Sequence, residues 1–271
     1  MTVLFASDLD QTLIYSRNSM GMEVTEEELV EVERYEGKPL SFMTKKSQSA
    51  LWHISASAFF LPVTTRTQAQ YERVTGIFNG QQAPRFAIVS NGAVILENGK
   101  PIKEWSEEIR QQCISRKTII SELLPEIERH FSDDWVLKVK EAEEWFVYLI
   151  VDRARFPTDK LDFYTTVFKE LGWGMSLQGR KLYFMPESIT KAAAAMYIKE
   201  RIGASYVLAA GDSLLDLDLL ESADYGMVAS HGEAVKSRVS MSGHIHKTDT
   251  HGIKVGEEIL ARVAEISLQR Q

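Results

Sequence analysis

MTVLFASDLDQTLIY, residues 1–15, is an apolar run that breaks at Asp8, Leu9, Asp10 and Thr12. The run reads as a buried first strand, so its end sets two carboxylates at the edge of a core. A buried, unpaired carboxylate is costly and two of like charge repel, so the pair needs a cation or a proton beside it. A polar turn or a helix cap would use the same residue types. The rest of the chain decides between the two readings.

The next segments alternate. SQSALWHISA (47–56) is a helix candidate, and AFFLPVT (58–64) is a β-rich run. TQAQYERVTGIFNG (67–80) is helical by spacing and closes at Gly80, and RFAIVS (85–90) is a strand running into NGA. Strands alternating with helices imply an α/β fold with a parallel, doubly wound sheet. After about Trp105 the rhythm changes. Residues 107–130 read as a long helix, DWVLKVKEA and EWFVYLIVD as paired strands, 157–171 as a second helix, and WGMSLQG with RKLYFMP as another strand pair around Gly179. This αββαββ order builds a small antiparallel sheet with helices on one face. The α/β rhythm resumes at SITKAAAAMYIKERIG (188–203), a helix with Ser188 as N-cap and Gly203 as stop. SYVLAAGDSLLDLDLLESA, the short strand DYGMVA and a helix near 252–268 follow. The chain thus divides into a core, 1–106 and 187–271, with an α+β domain inserted at 107–186.

Composition narrows the partners. The 271 residues are 44% hydrophobic, enough for a packed core. Lys and Arg total 31 against 38 Asp and Glu, a net charge of −7, which disfavours nucleic acid and anionic membrane surfaces. The single cysteine, Cys113, forms no intrachain disulfide and suits a reducing cytoplasm. The opening run lacks a basic leader, and no apolar run approaches the roughly 20 residues that cross a bilayer. A cytoplasmic protein with a small ligand is expected.

In an open parallel sheet, ligands bind outside the carboxyl ends of the strands. Asp8 and Asp10 follow the first expected strand, Thr64 and Thr65 the second, and Gly211, Asp212, Ser213 and Asp216 a later one. Asp8, Asp10, Asp212 and Asp216 together make a dense negative cluster, which calls for a hard divalent cation, most simply Mg²⁺, and hence for an anionic substrate. One aspartate of the leading pair can attack phosphorus while its neighbour protonates the leaving oxygen and later activates water.

DLDQTL (8–13) resembles the Asp-x-Asp-x-Thr motif of the haloacid dehalogenase (HAD) superfamily of phosphohydrolases. VTTR (63–66), Lys191 opening a helix, and GDSLLD (211–216) resemble the remaining motifs in order. The inserted unit is similar to the C2B-type cap of the sucrose-phosphate phosphatase, phosphomannomutase and Cof-like branch, and SNGA (90–93) also resembles that branch. The resemblance implies a Rossmann-like core, Asp8 as the nucleophile that forms an aspartyl-phosphate, and Asp10 as general acid/base that lends its carbonyl to Mg²⁺. It further implies that Thr64 holds a phosphoryl oxygen, that Lys191 neutralises nucleophile and phosphate, and that Asp212 and Asp216 anchor the metal. The branch has Thr-Gly-Arg at the second motif. Here Thr65 stands in place of the glycine, and Thr64 and Thr65 can exchange roles. Asn91, Arg180 and Lys181 are candidate substrate contacts, with Lys138 and Lys140 as further cationic positions.

Other polar residues have plainer readings. Asp218 and Asp224 suit capping or the surface, and His231 a helix cap or an exposed position near the metal loop. His244, His246 and His251 fit no tetrahedral spacing. Segment 15–46 is long for a connection. Its alternation suggests a hairpin turning near Gly37, where the resemblance implies a flap whose Arg17, Arg34, Tyr35 or Lys38 could meet substrate. The expected activity is hydrolysis of a small phosphorylated metabolite, a sugar phosphate first, with substrate entering between core and cap. The alternatives are a phosphosugar mutase of the phosphomannomutase type and a nucleotide phosphatase. An aspartate-phosphorylated signalling domain would carry its acidic pair elsewhere in the strand order.

Overall fold

The computed structural model describes residues 2–54, 57–78, 83–131 and 134–270. In chain order the first elements are β1 (Val3–Ser7), β2 (Leu29–Tyr35), β3 (Lys38–Thr44), α1 (Lys45–Ile54), β4 (Phe59–Pro62), α2 (Gln68–Tyr71), β5 (Phe86–Val89), β6 (Val94–Glu97) and β7 (Lys100–Pro101). Next come α3 (Lys103–Ser115), α4 (Ile120–His130), β8 (Val136–Ala142), β9 (Phe146–Val151), α5 (Leu161–Glu170), β10 (Trp173–Gln178) and β11 (Lys181–Pro186). The last are α6 (Lys191–Ile202), β12 (Tyr206–Gly211), α7 (Leu217–Ser222), β13 (Tyr225–Val228), α8 (Glu233–Lys236), β14 (Ile245–Lys247) and α9 (Val255–Gln269). They form two compact units, Met1–Pro101 with Lys191–Gln271, and Ile102–Thr190.

The first unit is built on a parallel sheet in the order β14-β13-β12-β1-β4. All five residues of β1 are buried, as the apolar run VLFA requires of a strand covered on both faces, and the buried Ser7 hydroxyl donates to the Asp8 carbonyl at 2.8 Å. Val3 and Phe5 pack with Leu51 and Ile54 of α1 and with Ile259 and Val263 of α9. A single parallel bridge, Val63 to Ile88, joins the end of β4 to an antiparallel β5-β6-β7 sheet.

Strands β2 and β3 form an antiparallel hairpin. Its two loop residues, Glu36 and Gly37, both have positive φ (48° and 77°), the turn geometry that matches strand twist. The hairpin is pinned to the unit rather than standing clear of it. Tyr15 and Phe42 exchange backbone hydrogen bonds at 2.8 Å, and the Gly76 N–H donates to the Val32 carbonyl at 3.0 Å. A Cβ at Gly76 would overlap the Glu31 carbonyl, so the docking needs glycine there.

That docking explains why the helix expected over 67–80 is short. A capping box of Thr67 and Gln70 starts α2, which ends at Tyr71. Beyond it the backbone spends the Gly76 N–H on the hairpin instead of on a helix. Gly80 lies outside the described residues.

In the second unit the sheet order is β10-β11-β9-β8, antiparallel throughout. Leu123 and Ile127 of α4 and Tyr164 and Phe168 of α5 pack on Val147, Leu149, Leu182 and Phe184, so the helices cover one face. The single helix expected over 107–130 is two. Lys117 takes a positive φ of 56°, and the Thr118 N–H returns to the Cys113 carbonyl at 2.9 Å, a left-handed stop that ends α3 without glycine. No helix among the described residues is long and apolar enough to cross a membrane.

Candidate active site

Neighbouring parallel strands deliver their following loops to one edge, so β1, β4 and β12 bring Asp8, Thr64 and Asp212 together. The Asp8 N–H extends the ladder past β1 by donating to the Ala210 carbonyl at 2.9 Å. Asp8 is buried, and its neighbour Leu9 accepts N–H bonds from Thr12, Leu13 and Ile14 that fold the loop into a tight turn. Gln11 at the tip has a positive φ of 60°.

Lys191 opens α6 and is itself buried. Its Nζ donates to Asp8 Oδ1 at 2.6 Å and to Asp216 Oδ1 at 2.5 Å. The second oxygen of Asp216 accepts from the Asp212 N–H at 3.0 Å and from the Ser213 N–H and Oγ, both at 2.8 Å. Asp216 therefore fastens the loop after β12 with one oxygen and the lysine with the other. A Cβ at Gly211 would overlap the Asp216 side chain, which is why glycine ends β12. The start of α6 takes its cap from Asp218, whose Oδ2 accepts the Ala192 N–H at 3.2 Å. Ser188, expected as the cap, instead lies 3.6 Å from Cys113 Sγ.

Asp8, Asp212 and Asp216 offer oxygens within 4.8 Å of one another, and no histidine joins such a group among the described residues. With all three ionised, three carboxylates against one ammonium would leave two uncompensated negative charges in a buried space. Burial pushes Asp8 up to about 7, with Lys191 pulling down and Asp216 and Asp10 pushing further up. Burial, then Asp216 and Asp8, raise Asp212 well above the carboxylate range. Burial opposes the charge on Lys191, but Asp216 and Asp8 outweigh it and raise the lysine above its ordinary value. An all-oxygen, electron-rich donor set of this kind fits a hard divalent cation.

Asp10 points to a different cation. Arg66 holds it through two bonds, Nε to Oδ2 at 2.6 Å and Nη2 to Oδ1 at 2.8 Å. The Thr64 hydroxyl accepts the Arg66 N–H at 3.1 Å, and Thr65, half-buried, occupies the same loop. Ser90 and Asn91 lock onto this loop. Their N–H groups donate to the Arg66 and Thr64 carbonyls at 2.7 and 3.0 Å, from backbone with positive φ through Gly92.

The remaining sequence candidates sit elsewhere. Arg180 is exposed beside the Gly179 turn of the second unit, and Lys181 Nζ lies over the Tyr148 and Tyr183 rings at 5.4 and 6.0 Å. Lys138 and Lys140 are exposed on β8. Arg17 pairs with Glu26, Arg34 with Glu31, and Tyr35 lies under Arg73, all within or beside the hairpin. His231 is a brace. The Gly252 N–H donates to its Nδ1 and its Nε2 reaches the Gln11 carbonyl, each at 3.0 Å, partners that assign the tautomer. His246 stacks on Tyr225, and His244 reaches the Leu220 carbonyl. Sequence reasoning placed Ser213 at this edge without giving it a role, and it missed Glu33. Ser213 lies inside a motif and could have been read as a cap. Glu33 carries no signal beyond its place in a polar alternation.

No family model matches the sequence, and no curated protein sequence matches it. Solved structures do. The sucrose-phosphatase of Synechocystis, determined with sucrose and phosphate, superposes with a TM-score of 0.66 at 15% identity, covering 97% of this chain and 98% of that one. The chain has the haloacid dehalogenase fold. A HAD-superfamily phosphatase from Bacteroides thetaiotaomicron matches with a TM-score of 0.55 at 13% identity, over 97% of this chain and 96% of its own. A HAD/Cof-like hydrolase from Plasmodium vivax matches at 0.56 and 11%, over 97% and 95%.

Proposed function

We infer that the chain is a Mg²⁺-dependent phosphomonoester hydrolase that works through an aspartyl-phosphate at Asp8. The observation that carries this reading is the placement of Lys191 Nζ, bonded at once to Asp8 and to the Asp216 that fastens the opposite loop. Lys191 takes Oδ1 of Asp8, which leaves Oδ2 as the attacking oxygen. The Thr12 hydroxyl, 3.5 Å from Oδ2, steadies it.

In this reading Asp8 Oδ2 bonds to phosphorus as the bond from phosphorus to the ester oxygen breaks, and Asp10 gives that oxygen its proton. Water then attacks phosphorus, Asp10 takes a proton back, and phosphate leaves with the Asp8 carboxylate restored. Lys191 and the Thr64 hydroxyl hold phosphoryl oxygens through both steps. Mg²⁺, held by Asp8, Asp212, the Asp10 carbonyl and the Asp216 region, would neutralise charge between two anions as they approach. The αββαββ unit would choose the substrate. A sugar phosphate is favoured because the sucrose-phosphatase is among the similar structures. The lone cysteine suits a cytoplasmic setting.

The test is a screen of phosphorylated metabolites for release of inorganic phosphate with Mg²⁺ and with excess chelator. Release that needs the metal and disappears in Asp8→Asn supports the reading. Full activity in chelator, or in a folded Asp8→Asn variant, overturns it.

A further inference from the structure

We propose that Glu33, on the β2–β3 hairpin, is a positioning residue that sets Asp10 through Arg66. The inference rests on the hydrolase reading above, in which Asp10 carries the proton of the leaving group. The Glu33 side chain has no exposure at all, although it is a carboxylate on a surface hairpin. The strand register shifts on both sides of it, between Glu31 and Glu33 and between Glu33 and Arg34. Such a bulge re-aims a side chain, and here it turns a charge inward. Three donors meet it: Ser41 Oγ at 2.6 Å, Arg66 Nη1 at 2.9 Å and Arg73 Nε at 3.2 Å.

Arg66 is thereby shared between two carboxylates. Nη1 faces Glu33, while Nε and Nη2 face Asp10. A guanidinium is planar and rigid, so fixing one edge on the buried Glu33 fixes the direction of the other. Asp10 has a side chain 47% exposed, so Arg66 does more than packing to set its rotamer. Misplacing a catalytic group by about 1 Å can cost roughly 100-fold in rate, which makes this orientation consequential. Packing alone does not call for Glu33, since a buried charge network can often be replaced by apolar residues of similar volume without loss of stability.

The experiment compares 4-nitrophenyl phosphate with phenyl phosphate in the full chain with Mg²⁺. Nitrophenolate leaves with little protonation, whereas phenolate, with a pKa of about 10 as in tyrosine, needs the proton from Asp10. Glu33→Gln should lower kcat for phenyl phosphate by about tenfold or more, lower that for the nitrophenyl ester by less than about threefold, and leave KM for both nearly unchanged. In an Asp10→Asn background the same substitution should cost less than about twofold further, because its target is gone. Ser41→Ala, which removes one anchor of Glu33, should show the same ester selectivity more weakly, and it carries the test if Glu33→Gln does not fold. Equal losses on both esters, no loss, or a full additional loss in the Asp10→Asn background would overturn the inference while leaving the hydrolase reading intact. A wild type that released phosphate neither from these esters nor from any metabolite in the screen above would overturn both.

Discussion

Lys191 and Asp8 stand 183 residues apart in the chain and 2.6 Å apart in the fold. A lysine this deeply buried is tolerable only because carboxylates flank it, and Asp8 and Asp216 are tolerable for the same reason.

Lys191→Met therefore removes the charge that offsets two buried carboxylates. Chemical unfolding without divalent metal should show a loss of about 3–5 kcal/mol, the cost of breaking a buried pair. Added Mg²⁺ should return part of that stability, while phosphate release stays abolished. A folded variant with near-normal stability in chelator would contradict the assignment of Lys191 as counter-ion.

Asp8 and Asp10 have different tasks and should fail differently. Asp8→Asn should be inactive on every ester, whereas Asp10→Asn should keep more activity on 4-nitrophenyl phosphate than on an alkyl phosphate. Steady-state rates on the two esters measure the contrast. Equal losses would remove Asp10 from the role of proton donor.

The pH dependence follows from Asp8 and Asp212, whose carboxyls are raised by burial, Asp8 to about 7. Because the folded values lie above the unfolded ones, the folded metal-free protein holds extra protons. The stability that Asp8 contributes is full below about pH 4 and is lost as pH rises through about 7, and Asp212 shifts in the same direction. Metal binding needs the carboxylates ionised. The rise in Tm on adding Mg²⁺ should therefore be larger at about pH 8 than at about pH 5, and thermal melts at both values check the sign.

Gly211→Ala places a methyl group against the Asp216 side chain. Asp216 cannot shift without releasing Lys191 and the Ser213 loop. The variant should lose most of its turnover and about 1–3 kcal/mol of stability, the cost typical of overpacking. Retention of both would show that the loop adjusts freely.

Much of this molecule is legible in the chain because local physics writes it there. The apolar run before Asp8 is an inner strand of a parallel sheet, and a strand buried on both faces reads as a near-continuous apolar run. The hairpin turn at Glu36 and Gly37 and the ββαββ order of the second unit follow from alternation and from turn residues, whereas the break of its first helix into two does not. The gathering of Asp8, Thr64 and Asp212 follows from strand order, since parallel neighbours send their loops to one edge. Tertiary structure alone decided the rest. The helix expected after Thr67 stops at Tyr71 because Gly76 docks on the hairpin. The cap of α6 is Asp218 from another helix and not the nearby Ser188. The pairing of Asp10 with Arg66 and of Arg66 with Glu33 joins three segments that no sequence pattern links. Periodicity records which face of an element is buried. It does not record which distant charge meets another, because that depends on how the elements pack.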